Sequence, residues 1–158
     1  MDRPPKVLVV AEHSYSMVDD VVAPDDTQSP GHHVVDYVLQ MLLSQGWQKY
    51  VATIREGIPD VPAPAVKEIT TSFVAECLGG DLLQRGVRAV SRTRRSYVLE
   101  EALWQRESGQ IVATSRAVII GIDRTTGRAA EIPAPMWEVV ELLEGRSIPV
   151  SERPPASH

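Results

Sequence analysis

The sequence predicts an α+β domain in which an antiparallel sheet wraps around one long helix. Three observations predict this class. A strand-like segment comes first, a long segment with helical periodicity follows, and four strand-like segments separated by short breaks come next. Parallel strands need crossovers of about a dozen residues or more, so the short breaks indicate antiparallel hairpins. With 158 residues, 43% of them hydrophobic, the chain is large enough for one domain with a substantial core.

Both ends of the chain are expected to take no part in the fold. Residues 1–5 and 146–158 are predicted to be flexible, and a single domain is expected in residues 6–145. The first strand is predicted from Lys6 to about Val18, because β-branched residues occur there without Gly or Pro. It is expected to continue raggedly through Val22.

A long helix is predicted from about Pro30 to Gln45. Ser29 suits the N-cap position, and Pro30 suits the first helical position. Apolar residues then recur at helical spacing, and Gly46 is predicted to end the helix. These apolar residues are Val34, Val35, Val38, Leu39, Leu42 and Leu43.

The second half of the chain is predicted to form an antiparallel meander. Its four strand-like segments are Val66–Cys77, Leu82–Thr93, Ser96–Glu107 and Gln110–Asp123. A short amphipathic helix, about Pro135 to Glu144, is expected to close the domain. A curved sheet around one helix leaves an edge strand and an apolar surface uncovered. We therefore expect the chain to pair with a second copy.

Composition and charge argue against several functional classes. The formal net charge of −5 gives no electrostatic support to general nucleic-acid binding. The single cysteine, Cys77, permits neither an intramolecular disulfide nor a thiolate cluster for zinc. The longest early apolar run, Val7–Val10, is too short for a signal-peptide core or a membrane span. We expect a cytoplasmic protein with neither nucleic acid nor membrane as its partner.

Ionisable side chains are concentrated at the predicted start of the long helix. Within residues 25–36 the chain carries three aspartates and two adjacent histidines. The free N–H groups and the positive dipole end of a helix stabilise negative charge, so this segment is the candidate functional site. Adjacent histidines on a helix diverge by about 100°, and no third ligand has suitable spacing, so no metal site is expected.

Three stretches of the chain together resemble a known family. The first, residues 26–37, combines an acidic residue, a Gly-His pair and an aromatic residue. The second, residues 69–83, reads as a strand, a Gly-Asp turn and another strand. The third runs over residues 90–116, followed by Asp123, Gly127 and Ile132-Pro133. This pattern resembles the hotdog-fold acyl-CoA thioesterases of the 4-hydroxybenzoyl-CoA thioesterase type.

The resemblance implies a hotdog fold, in which a curved antiparallel sheet of about five strands wraps around one long central helix. It also implies a homodimer or homotetramer that hydrolyses an acyl-CoA or acyl-carrier-protein thioester. Coenzyme A is then part of the substrate, and no separate cofactor is implied. Two alternatives remain open. One is a non-catalytic acyl-thioester-binding protein, because Ser29 and Pro30 occupy the places before the Gly-His pair where the family carries its acid. The other is an enoyl-thioester hydratase or dehydratase of the same fold.

Thioester hydrolysis needs a carboxylate that activates water or attacks the carbonyl, and donors for the oxyanion. The backbone N–H groups of Gly31, His32 and His33 are the predicted donors. Two carboxylates are candidates. Asp26 resembles the acid that the family places before the helix. Asp36 is predicted to lie half-buried one helical turn after His32, where it would orient that imidazole, and it is the favoured candidate.

A basic cluster in this acidic protein is the candidate for binding the phosphates of coenzyme A. It consists of Arg92, Arg94 and Arg95, with Arg116 nearby in the predicted meander. Guanidinium groups bind phosphate bidentately. The alternative is a charged hairpin tip with no ligand. Glu76, in the second strand-like segment, is expected to face water.

Overall fold

A computed structural model describes residues 14–25 and 33–151. In chain order the elements are β1 (Met17–Val22), α1 (Asp36–Arg55), β2 (Ala63–Phe73), β3 (Leu82–Arg92), β4 (Ser96–Gln105), β5 (Ile111–Ile122) and α2 (Ala134–Glu144). In the described residues, five strands form one antiparallel sheet in the order β1-β3-β4-β5-β2, with β1 and β2 at its edges. Helix α1 packs on one face of this sheet, here called the inner face. The predicted α+β arrangement is confirmed. The predicted four-stranded meander holds only for β3, β4 and β5: β2, although a short segment joins it to β3, pairs with β5 at the far edge of the sheet, and β3 pairs with β1 instead.

Helix α1 begins later than the periodicity predicts. Its N-cap residue is Val35, whose backbone is extended (φ −75°, ψ 158°) and whose side chain makes no capping bond. The preceding residue, Val34, donates its N–H to the carbonyl of Cys77 at 2.8 Å. This backbone pairing holds residues 33–35 in extended conformation, although their spacing alone favours a helix. The predicted start at Pro30 is wrong, and Ser29 and Pro30 themselves lie outside the described residues.

Gly46 does not end the helix, which continues to Arg55. A Cβ atom at Gly46 would lie 2.7 Å from Cδ of Arg85 and 2.8 Å from Oε2 of Glu101. The missing side chain therefore lets α1 lie close against the sheet. The next turns bury Tyr50 and Ile54 completely, and this burial outweighs the cost of about 1 kcal/mol for a glycine within a helix.

Two apolar clusters fill the space beneath α1. The cluster under its first half contains Leu39, Leu42, Leu43, Cys77, Leu83, Leu103, Val112 and Ala113. The cluster under its second half joins Tyr50, Val51 and Ile54 to residues of β3, β4 and β5. Helix α2 closes this second cluster with Met136, Trp137 and Val140. The prediction of a short C-terminal amphipathic helix is confirmed.

The edge strands differ most from the prediction. In the described residues β1 covers the last two residues of the predicted strand, Met17 and Val18, and its expected ragged continuation to Val22, and Ser14–Ser16 lie before it. Strand β2 ends at Phe73, and residues 74–77 leave the ladder. Within β2 the register shifts between Val66 and Glu68, which makes Lys67 a β-bulge.

A buried charge cluster lies under the middle of α1. The side chain of Arg85 is 4% exposed. Its Nε and Nη2 donate to the Asp19 carboxylate at 3.0 and 2.5 Å, and its Nη1 donates to the Leu42 carbonyl at 2.7 Å. Glu101 is 1% exposed, and in the described residues neither of its carboxylate oxygens accepts a hydrogen bond. Burial raises the pKa of Glu101 to about 8, although the charge of Arg85 and the nearby Trp47 backbone lower it.

Candidate active site

A cavity of about 340 Å³ lies at the start of α1. The first turn of α1 bounds one side, and the end of β2 with residues 74–77 bounds the other. Its apolar walls are Val34, Leu39, Phe73, Val74 and Ala75. Charged or titratable side chains are contributed by His33, Asp36 and Glu76. Apolar walls with a few polar groups are typical of small-molecule sites.

Backbone pairing holds the two sides of this cavity together. Val34 donates to the Cys77 carbonyl, and His33 forms an isolated antiparallel bridge with Leu78. On the other side, the N–H groups of Val74 and Ala75 both donate to the Val112 carbonyl, at 2.8 and 3.2 Å. The cavity therefore has a fixed backbone frame on both sides.

Asp36 is the first residue of α1 and lines the cavity. It is exposed, so the prediction that it is half-buried is wrong. Because the helix starts at Asp36, the helical spacing that was expected to bring His32 and Asp36 onto one flank does not apply. His32 and the alternative carboxylate, Asp26, lie outside the described residues.

Glu76 is a second carboxylate of the cavity. Its Oε2 lies 3.5 Å from Nδ1 of His33, and the two side chains are 83% and 50% exposed. The prediction that Glu76 faces water holds, but proximity to the helix start of its own chain was missed. No local signal in the sequence indicates this proximity, because it depends on the backbone bond from Val34 to the Cys77 carbonyl, which joins distant parts of the chain.

The oxyanion donors predicted from the sequence are only partly described. Gly31 and His32 lie outside the described residues, and His33 belongs to the extended bridge rather than to the helix. The first hydrogen bonds of α1 are those that the Val35 carbonyl accepts from the N–H groups of Val38, at 3.1 Å, and Leu39, at 3.3 Å. The amides of Asp36 and Tyr37 precede these bonds and have no intrahelical acceptor. They are the described helix-start donors beside the cavity.

Cys77 lines the cavity but is not a nucleophile candidate. The residue is buried, and burial together with the nearby Asp81 carboxylate raises the pKa of its thiol to about 12. The thiol is therefore protonated at neutral pH, and the thiolate is the reactive form of cysteine.

The predicted arginine cluster is divided between two places. Arg94 and Arg95 line a cavity of about 610 Å³ on the outer face of the sheet, together with Lys67. The floor of this outer cavity includes Val118 and Ile120. Arg94 also pairs with Glu131 at 2.9 Å. Arg92 lies apart, with its guanidinium 4.6 Å from the centre of the Trp137 ring. Arg116 is exposed on the outer face.

Among residues 14–25 and 33–151, no group of three or more His, Cys, Asp and Glu side chains is placed to hold a metal ion. Within the same residues, neither helix is long and apolar enough to cross a membrane.

Comparison with known proteins gives structural matches alone. No family model and no curated protein matches the sequence. Solved structures do match. A thioesterase from Thermus thermophilus, in complex with coenzyme A and zinc, is 23% identical and has a TM-score of 0.73, with 86% of this chain and 99% of that one covered.

Two further structures match over similar lengths. A protein from Staphylococcus aureus in complex with CoA is 15% identical, with a TM-score of 0.72 and coverage of 87% and 89%. A 1,4-dihydroxy-2-naphthoyl-CoA thioesterase from Synechocystis is 12% identical, with a TM-score of 0.67 and coverage of 78% and 93%. At these identities the similarity establishes the fold. The chain has the hotdog fold that the sequence resemblance implied.

Proposed function

We propose that this protein is a thioesterase that hydrolyses an acyl-CoA, with Asp36 as its catalytic carboxylate. The observation that carries the proposal is the cavity at the start of α1, where a carboxylate, helix-start amides and apolar walls meet. The fold, shared with structures named as thioesterases and with structures that hold CoA, supports this class of function. An acyl-carrier-protein thioester is the alternative substrate.

In the proposed reaction Asp36 accepts a proton from a water molecule as the water oxygen attacks the thioester carbonyl carbon. The negative charge that develops on the carbonyl oxygen is stabilised by backbone N–H groups and the dipole at the helix start. The carbon–sulfur bond then breaks, and the thiolate takes up a proton. The products are a carboxylic acid and a free thiol. The acyl group lies against Leu39 and Phe73 during the reaction.

The remaining predicted site residues keep their proposed roles. Asp26 is the alternative carboxylate, and the amides of Gly31, His32 and His33 are further oxyanion donors. Glu76 lies close enough to His33 to orient its ring. Arg94 and Arg95 are proposed to bind the phosphates of CoA, since they line a cavity and are exposed. Arg92 is the weaker candidate because its guanidinium already stacks on Trp137.

We also propose a homodimer, or a homotetramer built from it, in which a second copy covers the open side of β2. This edge strand leaves Val66, Ile69 and Phe73 between 37% and 50% exposed. On the adjacent flank of α1, Tyr37 is 72% exposed and Met41 is 46% exposed. Apolar side chains on a long, unpaired edge favour pairing between chains.

Release of free thiol from a panel of acyl-CoA substrates tests the function. Asp36→Asn is expected to lower kcat by at least about 100-fold, as expected for loss of a general base. The matched control is Asp20→Asn, which removes an exposed carboxylate of β1, the edge strand opposite the β2 edge that bounds the cavity. Asp26→Asn and Glu76→Gln are measured alongside.

Each outcome of this comparison assigns a role. Loss of activity in Asp26→Asn or Glu76→Gln, with Asp36→Asn unaffected, would move the catalytic role to that residue. Thermal stabilisation by acyl-CoA without thiol release would instead support the binding protein. Hydration of crotonyl-CoA, followed by its absorbance, would support the hydratase. That alternative uses an Asp and a His near the helix start, and of His32 and Asp36 only Asp36 lies in the described residues.

A further inference from the structure

A polar bridge joins α1 to the edge strand β2 just beyond the cavity at the helix start. Gln40 lies one helical turn after Asp36. Thr71 lies two residues before Phe73, on the same face of β2. The Thr71 hydroxyl donates a hydrogen bond to Oε1 of Gln40. The bridge therefore spans the cleft between the two elements that bound the cavity.

Both ends of the Gln40 amide are engaged. While Oε1 accepts from Thr71, Nε2 donates to the hydroxyl of Ser44 at 3.2 Å. Thr71 Oγ1 also lies 3.5 Å from the hydroxyl of Ser115 on β5. Since these side chains are partly or fully buried, the bonds hold Gln40 in one orientation across the cleft.

The bridge stands at the end of a polar row on the inner face. Glu101, Ser115 and Thr71 lie directly opposite one another across β4, β5 and β2. The apolar cluster beside the cavity, with Leu103 and Ala113, lies on one side of this row. The other cluster begins with Leu99 on the other side. An apolar chain that extends beyond the cavity must therefore displace buried hydrogen-bonded groups, which is costly.

We propose that the Gln40–Thr71 bridge closes the inner end of the cavity and limits the length of the acyl group. This inference rests on the proposed function. The cavity volume of about 340 Å³ is near the lower end of the range of about 300–1,000 Å³ for ligand pockets. The substrate class is therefore a short or compact acyl thioester, whose acyl group ends before the polar row.

The experiment compares acyl-CoA substrates from acetyl to dodecanoyl. Gln40→Ala removes both the bond and the bulk across the cleft, and it is expected to raise the ratio of kcat/KM for long over short chains by at least about tenfold. Gln40→Leu keeps the bulk but removes the bond, and a smaller rise is expected. The matched control is Ser72→Ala, because Ser72 is exposed and lies on the outer face beside Thr71. The dependence of kcat/KM on acyl chain length in Ser72→Ala is expected to match that of the wild type.

Folding and function are separated by two further readouts. Circular dichroism and thermal unfolding establish that each variant is folded, and Thr71→Ala provides a second way to open the bridge. If the wild type hydrolyses short chains and neither Gln40→Ala nor Thr71→Ala changes the profile, the bridge does not set chain length. If the wild type hydrolyses none of the substrates, the proposed function fails. In that case, thermal stabilisation by each acyl-CoA of the panel is measured instead of hydrolysis. The bridge proposal is also overturned if the wild type and the two variants show the same dependence of stabilisation on chain length, or if no acyl-CoA stabilises the protein.

Discussion

Helix α1 meets two carboxylates in opposite environments. Asp36, at its start, is exposed and lines a cavity, whereas Glu101 lies under its middle with 1% exposure. Water can reach and hydrate Asp36, so its charge is available to a ligand. Glu101 is surrounded by protein, and burial raises its pKa to about 8. The contrast is consistent with the proposed catalytic role of Asp36, whereas Glu101, with Arg85, is part of the packing of the helix.

The largest expected effect comes from Arg85→Ala. This change removes the donors that Asp19 and the Leu42 carbonyl use, at a side chain that is only 4% exposed. Loss of one partner from a buried ion pair costs about 3–5 kcal/mol of unfolding free energy. Urea unfolding measures this loss. Arg106→Ala removes an exposed partner at 3.9 Å and is expected to change stability by less than about 0.5 kcal/mol. If Arg85→Ala and Arg106→Ala lowered the free energy of unfolding equally, the charge cluster under α1 would not be a structural element of the core.

A smaller effect is expected from pH, through Glu101. The pKa of its carboxyl group rises from 4.5 in the unfolded reference to about 8 in the folded protein, so the folded state binds the proton more tightly. This contribution to stability is complete below about pH 4.5 and is lost as the pH rises through about 8. Between about pH 6 and about pH 9 the loss is on the order of 3 kcal/mol.

Arg85 on β3 is the charged side chain that acts on Glu101, and Arg85 in turn binds Asp19 of β1, which also pairs with Lys49 of α1. Burial opposes ionisation of Asp19, but hydrogen bonds from Arg85 and Lys49 hold the pKa of that carboxyl below its usual value. Its contribution therefore changes in acid rather than near pH 8. Urea midpoints between pH 6 and about 9 should fall in the wild type and stay nearly level in Glu101→Gln. Parallel curves would show that Glu101 does not titrate in this range.

The smallest effect on stability is expected for Asp36→Asn. An exposed carboxylate in the first turn of a helix contributes about 0.3–1 kcal/mol through the helix dipole. The urea midpoint should therefore change little, while thiol release falls. A loss above about 2 kcal/mol would show that Asp36 is a structural residue and would remove the contrast with Glu101.

The fold class could be predicted from the sequence because its evidence is local. Short breaks between strand-like segments predict antiparallel neighbours, and β3, β4 and β5 pair in this way. The break between β2 and β3 is the exception, because β2 pairs with β5 across the sheet, a long-range contact that no local pattern encodes. The limits of α1 could not be predicted in this way. Its start depends on the Val34 bond to Cys77, which joins distant parts of the chain. Its passage through Gly46 depends on the close approach to Arg85 and Glu101.

The site was predictable only where its evidence is local in the sequence. The concentration of charge near the helix start identified Asp36 and His33, both of which line the cavity. Phe73 and Glu76 complete the cavity from the end of β2, and nothing local to the helix indicates them. The arginines are adjacent in sequence, but Arg92 occupies a different face from the outer cavity. Arg92 is the last residue of β3, whereas Arg94 and Arg95 lie in the turn between β3 and β4, so the change of chain direction separates side chains that a reading of charge alone groups together.

The bulge at Lys67 gives β2 one residue more than β5 can pair with. Val66 and Ile69, an odd number of positions apart, therefore both face inward, opposite Ile119 and Ala117. Deletion of one residue at this place restores plain alternation and leaves every other side chain on its present face. Insertion of one residue between Thr71 and Phe73 would instead turn Phe73 away from the cavity. The two halves of β2 thus tolerate insertions and deletions differently. The half that lines the cavity contains no unpaired residue that could be removed without turning the side chains that follow it.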